Sequence, residues 1–514
     1  MAGVKPVAML RWLLAVVALI ASGTLTGCAT RRTPAPVLDV AAIDRRVDGL
    51  VRAGCYQCLR EALRALPPAG SPLDRRRFHV LVLLGARARE LGLVLDPDWI
   101  GQARLLAGAS PNAEQHLLVD LASATIMPRG TGLPMPAGGA AERADAVRLG
   151  ERATRQLPAL ALTDPVAAYF LHHAACMGLG SAPDTVQITE VMRRVPLVAY
   201  RIATCGRIDD EAVAALLAAE PRLQELHYFK AASAFVAGAL LTTESELNQF
   251  DEPFPAAPAS AMLRGQVLLA FEEFEHAVAA FDAVLSIDAD QPEALLYRMR
   301  ALSQGGDARR GEAAADRLAT LGTWYQGEAY YWRAWNRRAL GRLDEAAADI
   351  ETAKRVLFNA AVPKLAGFIA YEREQLDLAL TELSASRERD AEDCAVQFAI
   401  GQVYARRARW PDAAAAFAGT VGCTQAAQAT ARNRMDEITR APLDQTRRQR
   451  LQARAERDRA TERAREGIAT LSAATSYVLA GHADQARPLA ERALSWEEWA
   501  VRAREILDGL PARR

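Results

Sequence analysis

The residues able to do chemistry in this chain are few and scattered. The seven histidines are His79, His116, His172, His173, His227, His276 and His482, and none sits in a His-Glu-x-x-His pair. His172 and His173 are adjacent; on a helix, neighbours point about 100° apart, which suits no shared metal ion. The chain holds neither a Gly-x-Ser-x-Gly elbow nor a Gly-x-x-x-x-Gly-Lys-Ser/Thr phosphate cradle. Gly178-Leu179-Gly180 lacks the preceding strand that a dinucleotide site requires. In Cys55-Tyr56-Gln57-Cys58, Leu59 stands where haem attachment would need His. No strand–helix pattern surrounds that pair, and two thiols are too few for a structural zinc, so a local disulfide is the expectation. Acids are abundant, yet nothing pairs two of them as general acid and base. No catalytic group, metal or cofactor is expected. What remains is binding chemistry, concentrated in one segment. Residues 324–335 hold six aromatics: Trp324, Tyr325, Tyr330, Tyr331, Trp332 and Trp335.

Composition narrows the partners. The chain has 514 residues, with 62 basic and 62 acidic side chains. That balance argues against nucleic acid as a ligand, because phosphate binding needs a strong positive excess. Hydrophobic residues make up 51% and charged residues 24%, the proportions of an ordered protein. Lys5 and Arg11 precede an apolar run, Trp12–Ala21, followed by small residues to Gly27. This order reads as a secretory signal, and the run is too short to span a bilayer as an ordinary helix. Leu25-Thr26-Gly27-Cys28 resembles the lipobox of bacterial lipoproteins. The resemblance implies cleavage before Cys28, acylation of its sulfur and firm anchoring by several chains. Ala29 follows, with no Asp, which implies an outer-membrane rather than an inner-membrane address. Residues 1–27 are then the signal and 28–38, with their prolines, a tether.

The elements that must position the aromatic segment are helices. Apolar residues recur at helical spacing, broken by Gly, Pro and Asp, and few stretches alternate as strands do. From residue 258 a repeat emerges, with units starting at Pro258, Pro292, Gly327, Ala360 and Cys394 and a sixth near Gly467. Position 8 carries Gly265, Met299, Ala334, Gly367, Gly401 and Ala474; position 24 carries Phe281, Ala315, Ile350, Leu383, Phe417 and Ala490. Small residues at positions 8 and 20 are expected to let the two helices of a hairpin approach, and large ones at 17 and 24, such as Phe274, Phe281, Trp410 and Phe417, to fill the space between neighbouring hairpins. Met299 and Ala315 depart from this pattern and weaken the second unit. Residues 39–257 read as less regular helices: 39–53, 56–66, 73–91, 98–107, 114–126, 166–178, 184–194 and 196–205. A Pro/Gly-rich loop is expected at 128–140. Residues 443–466 carry eight arginines and five interleaved acids and read as a solvated helix.

The array resembles the tetratricopeptide repeat family, most clearly at 258–291 through Gly265, Leu268, Ala277, Phe281 and Pro292. The resemblance implies an all-α, right-handed superhelical solenoid of antiparallel helix pairs. Its expected parts are an irregular helical-repeat domain at 39–257, five units at 258–427, connecting charged helices at 428–466, and a last unit with a capping helix at 467–514. It also implies a concave groove lined by the first helix of each unit. Carried onto this sequence, the groove residues are Met262, Gln266, Arg300, Gln304, Tyr331, Trp335, Arg338, Lys364, Phe368, Tyr371, Phe398, Gln402 and Arg406. For Tyr331 and Trp335, groove contact and packing stay equally open. Within one hairpin, positions 1 and 30 lie at the same end, so Cys394 and Cys423 are expected to bridge. Cys176 and Cys205 share that spacing and are expected to pair. The functional expectation is a non-enzymatic envelope lipoprotein that scaffolds partner proteins or holds a peptide or polar ligand in its groove. An accessory solute- or glycan-binding lipoprotein of an envelope transport system is the alternative; a cell-wall or glycan enzyme on a helical scaffold has less support. Replacing Cys28 with Ala should leave the precursor unprocessed or release the protein from membranes, read by membrane fractionation and mass spectrometry. Unchanged processing and partitioning would reject lipidation there.

Overall fold

The computed structural model describes residues 39–511 apart from 94–97, 109–112, 125–139, 177–187, 205–207, 323–324 and 441–444. Cys28 and the side chains of the expected Cys176–Cys205 pair lie outside the described residues, as does the loop expected at 128–140 except for Ala140, which opens the helix Ala140–Gln156. Among the described residues every regular element is a helix, so the fold is all-α.

The first half begins with helices Val40–Ala53, Tyr56–Ala65, Asp74–Leu91, Trp99–Ala107 and Ala113–Ser123. Asp39 caps the first by accepting from the Ala42 N–H at 2.9 Å. Gly54 ends it at φ 69°, where a Cβ would lie 2.7 Å from the Leu197 Cα. The helix expected at 184–194 instead starts at Glu190 and stops at Arg193. Thr189 is extended and its hydroxyl accepts from the Met192 N–H at 3.2 Å, which makes it an N-cap and sets the late start.

A fully buried ionic cluster ties these helices together. Arg87 and Glu225 are both 0% exposed and form an ion pair. Glu225 also accepts from the Tyr56 N–H at 2.7 Å, and Arg87 donates to the Gly54 carbonyl at 3.2 Å. The Arg87 guanidinium lies 3.4 Å from the centre of the Tyr200 ring. Beside it, Arg201 donates to Glu90 at 2.6 Å and Tyr200 donates to the other Glu90 oxygen at 2.9 Å. Burial opposes ionisation of Glu90, but Arg201 and Arg87 overcome it and hold the carboxyl below its ordinary value. At Glu225 burial wins over Arg87, and the pKa is raised.

The second half is the repeat array. Its hairpins are Pro258–Ala270 with Phe274–Leu285, Pro292–Gln304 with Ala308–Thr320, Gln326–Ala339 with Leu343–Lys354, and Ala361–Glu372 with Leu376–Arg389. Cys394–Arg406 pairs with the start of Trp410–Arg440, and the end of Gln445–Leu479 pairs with Ala483–Ala493; Glu497–Gly509 follows. The small residues do what their size suggests. A Cβ on Gly265 would lie 2.5 Å from the Phe281 ring, one on Gly367 2.6 Å from Leu383, and one on Gly401 2.6 Å from Phe417. The second unit departs from the pattern yet forms the same helix pair. Met299 and Ala315 are both 0% exposed and belong to the same core cluster, so the large residue stands on the first helix of this unit and the small one on the second.

The turn between paired helices carries a second periodic constraint. Position 15 is left-handed in all six units: Glu272 (φ 61°), Gly306 (87°), Gly341 (76°), Glu374 (61°), Ala408 (52°) and Gly481 (81°). Three units place glycine there, where the conformation is free of strain. Two disulfides join residues that are close in the fold, Cys55–Cys58 with Cα atoms 4.9 Å apart and Cys394–Cys423 with Cα atoms 5.6 Å apart.

The Arg-rich segment is a largely exposed helix, as expected, but one face of it is engaged. The helices Trp410–Arg440 and Gln445–Leu479 run unbroken through residues 427 and 466 and form a long antiparallel arm. At its base, Glu466 accepts from Gln425 at 3.0 Å and Gln428 at 2.7 Å and pairs with Arg492. Towards its tip the arm returns to the first unit. Arg450 bonds Glu244 at 2.9 Å and Glu273 at 2.6 Å, and its guanidinium lies 4.7 Å from the Phe271 ring centre. Arg454 donates to the Ala270 carbonyl and Arg457 to that of Phe271. A helical wheel shows interleaved charge; it does not show that one face meets a turn some 180 residues away.

Two outcomes follow for unfolding measurements. A Cβ added to Gly341 would meet nothing within 4 Å, so Gly341→Ala should cost about 1–2 kcal/mol from the left-handed backbone alone. Gly367→Ala must displace Leu383 and should cost more; equal losses would show that the close approach relaxes freely. Arg87→Met strands Glu225 in the core and should cost about 3–5 kcal/mol in denaturant unfolding. A loss under about 1 kcal/mol would show that Glu225 takes up another partner or a proton without penalty.

Candidate partner-binding groove

The first helices of the third and fourth units present the residues expected to line a groove. Tyr331 and Trp335 lie one turn apart on Gln326–Ala339, and Lys364 and Phe368 one turn apart on Ala361–Glu372. Side chains four residues apart share a face, so two stripes meet along the contact between these helices. The structure brings all four together around one pocket of about 160 Å³. Asp390 and Asp393, from the turn before the fifth unit, complete its rim.

Each side chain is held by identifiable forces. Tyr331 is 9% exposed and packs edge-on against Trp332 at 5.2 Å; burial, and then Glu328, push its phenol up to about 12. Trp335 is half-buried, with its ring 5.8 Å from that of Trp332. The question left open at these two positions therefore divides. Tyr331 is mainly packing with an edge on the pocket, and Trp335 serves both purposes. Lys364 is half-buried and its Nζ lies 2.6 Å from Asp393 Oδ2. Asp393 also caps the next helix, its Oδ1 accepting from the Ala395 N–H at 3.0 Å.

Arginines extend the face by lying on rings. Arg338 sits 5.2 Å from the Phe368 ring centre and donates to Glu372 at 3.0 Å. Arg406 sits 5.5 Å from the Tyr371 ring and 3.5 Å from Glu374. Arg300 reaches the rings of Tyr297 at 5.5 Å and Trp332 at 6.0 Å. Gln402 is half-buried and Gln304 exposed. The remaining expected residues are placed otherwise. Phe398 packs against Phe417, 5.3 Å away on the partner helix of its own unit. Met262 and Gln266 are 8% and 3% exposed, so the face of the first unit is covered. Trp324 lies outside the described residues. The sequence reading missed Asp390 and Asp393, because they belong to a turn rather than to a first helix. The signal available was the cap itself, an Asp just before the apolar period of residues 394–406.

A second cleft, about 440 Å³, lies in the first half and holds His79. Its Nε2 is 3.9 Å from Asp164 Oδ2, and burial pushes its pKa down to about 4. Around it the charges pair with one another, Arg76 with Asp44 at 2.7 Å and Arg52 with Asp48 at 2.7 Å. Thr163, the hydroxyl in that wall, faces the Leu160 carbonyl at 3.5 Å rather than the imidazole. His172 and His173 are buried at 2% and 7%, and burial pushes the latter down to about 3. Among the described residues no group of His, Cys, Asp and Glu could hold a metal ion, and no helix is long and apolar enough to cross a membrane.

No family model and no curated protein matches the chain. Solved structures do. The chain is similar to YrrB, a TPR protein with an unusual peptide-binding site, at 17% identity over 44% of this chain and 98% of that one, with a TM-score of 0.31. A tetratricopeptide repeat protein from Parabacteroides merdae is 14% identical over 51% of this chain and 94% of its own, with a TM-score of 0.32. The Cut9–Hcn1 hetero-tetramer of the APC/C gives 14% identity over 91% of this chain and 95% of that one, with a TM-score of 0.36. Overlaps of this size carry no weight for partners, and the repeat type stands on this chain's own recurring geometry. Antiparallel helix pairs, five of them about 34 residues apart, a small residue packed under a large one in three units, and a left-handed turn at the same position in all six make this an all-α solenoid of the tetratricopeptide-repeat-like type.

Proposed function

We propose that this chain is a non-enzymatic adaptor of the bacterial envelope, anchored through Cys28, whose groove holds a segment of a partner protein. The observation that carries the groove reading is the pocket between the third and fourth units. Its walls are aromatic and charged side chains that project from two neighbouring first helices, and Trp335, Lys364 and Phe368 all remain half-exposed. Aromatic and basic groups in a partly formed pocket are the chemistry of protein-interface anchors. At this pocket, unlike the cleft of about 640 Å³ between the first and second units, size favours a protein side chain over a captured solute or glycan. Small-molecule sites span roughly 300–1,000 Å³, whereas this one, at about 160 Å³, suits a single side chain. The two disulfides support export to an oxidising compartment, since such bridges are rare in the cytosol. The signal and lipobox residues supply the envelope address.

The test is capture by in-cell cross-linking, with the full chain as bait. Trp335→Ala should weaken a captured partner by about 2 kcal/mol, near thirtyfold, as a partly buried anchor does. Leu105→Ser, at a residue 77% exposed and remote from the groove, should leave capture unchanged. Thermal unfolding of the same variants separates lost binding from lost fold. A partner held equally well by folded Trp335→Ala and Phe368→Ala would overturn the groove reading.

A further inference from the structure

The geometry points to the pocket between the third and fourth units as a subsite for one basic side chain, Arg or Lys, of an extended partner segment. This inference rests on the groove reading above and adds the charge of what enters.

Three observations carry it. The first is the electrostatic balance of the lining, where Asp390 and Asp393 face a single cation, Lys364. Asp393 is fully engaged, with Oδ2 on Lys364 at 2.6 Å and Oδ1 on the Ala395 N–H. Asp390 uses Oδ1 to accept from the Glu392 N–H at 3.1 Å and makes no ion pair among the described residues. One carboxylate charge at the pocket mouth is therefore left for an incoming group. The second observation is the set of rings. Trp335 and Phe368, both half-exposed, line the same small space beside the largely buried Tyr331, and an aromatic ring attracts a cation over its face. The third is that neighbouring rings already take guanidinium groups from this chain, Phe368 from Arg338 at 5.2 Å and Tyr371 from Arg406 at 5.5 Å. The spacing between these helices thus suits a flat cation against a ring.

The competing occupants fit less well. An acidic side chain could bind Lys364 only by taking it from Asp393, which would then face a second carboxylate. An apolar one would fill the space but desolvate Asp390 with no compensating charge. An Arg or Lys would lay its methylene stem along Leu365 and Ala361 and bring its charge to Asp390.

The test uses the full chain and three blocked pentapeptides, with Arg, citrulline or Glu between pairs of alanines, titrated calorimetrically into the millimolar range. Citrulline keeps the shape of arginine and removes its charge. The Arg peptide should bind about tenfold or more tightly than the other two. Asp390→Asn combined with Asp393→Asn, which retains the capping oxygen, should abolish that preference, and Phe368→Leu should weaken it without lowering the melting temperature. Equal binding of the citrulline peptide, tighter binding of the Glu peptide, or no binding of the Arg peptide would each overturn the subsite. If the cross-linked partner is still lost in Trp335→Ala while arginine shows no advantage, the groove stands and the basic subsite falls. If capture is indifferent to Trp335→Ala while the Arg peptide binds, the subsite exists but is not where that partner docks.

Discussion

Everything in the second half of this protein depends on how closely two helices of one hairpin can approach. Gly265, Gly367 and Gly401 each leave room for a large side chain from the opposite helix, and a single added carbon would overlap it. Close approach fixes the separation of the pair. The left-handed residue after each first helix reverses the chain within a few residues. Together these two constraints set where the next unit must stack, and so where its first helix faces. The groove follows from the repetition of that local geometry, unit after unit. The second unit meets the requirement without glycine at that position: Met299 on the first helix and Ala315 on the second are both fully buried.

The first half solves the same packing problem with less regular means. Its helices are short, and a buried ionic cluster joins segments far apart in sequence. Arg87 and Glu225 meet across 138 residues, and Arg201 and Glu90 across 111. Charges without water must satisfy one another, so the cluster tolerates few other arrangements of the helices it joins. Such a cluster stabilises less than its short distances suggest, because desolvation offsets much of the attraction. Its contribution is to specify one arrangement, and Gly54, pressed against Leu197 and bonded to Arg87, shows how tightly the backbone is drawn in.

The long arm and the groove show two fates for arginine in one solenoid. On the arm, Arg450, Arg454 and Arg457 direct their donors to carboxylates and turn carbonyls of the first unit, closing the chain on itself. Around the groove, Arg338 and Arg406 lie on rings and pair with acids at the surface. The first kind is structural and tolerates little change in position. The second leaves rings, a half-exposed lysine and a spare carboxylate facing outward, which is the condition for recognising something else.

The repeat and its register are legible in the residues alone, because they are local; the left-handed turns at Glu272, Glu374 and Ala408 are not, since those residue types carry no turn signal. Positions 8 and 24 act within a single hairpin, and a 34-residue period states that geometry whatever the rest of the chain does. It placed Tyr331, Trp335, Lys364 and Phe368 on neighbouring first helices for the same reason, and it paired Cys394 with Cys423 across one hairpin. Export and lipidation, by contrast, stand on sequence alone, since the signal and Cys28 lie outside the described residues. Only the tertiary structure decided the non-local matters. Met262 and Gln266 were covered, Asp390 and Asp393 entered the pocket from a turn, and Arg450, Arg454 and Arg457 found the first unit. Each depends on the angle accumulated from hairpin to hairpin, which no single unit encodes.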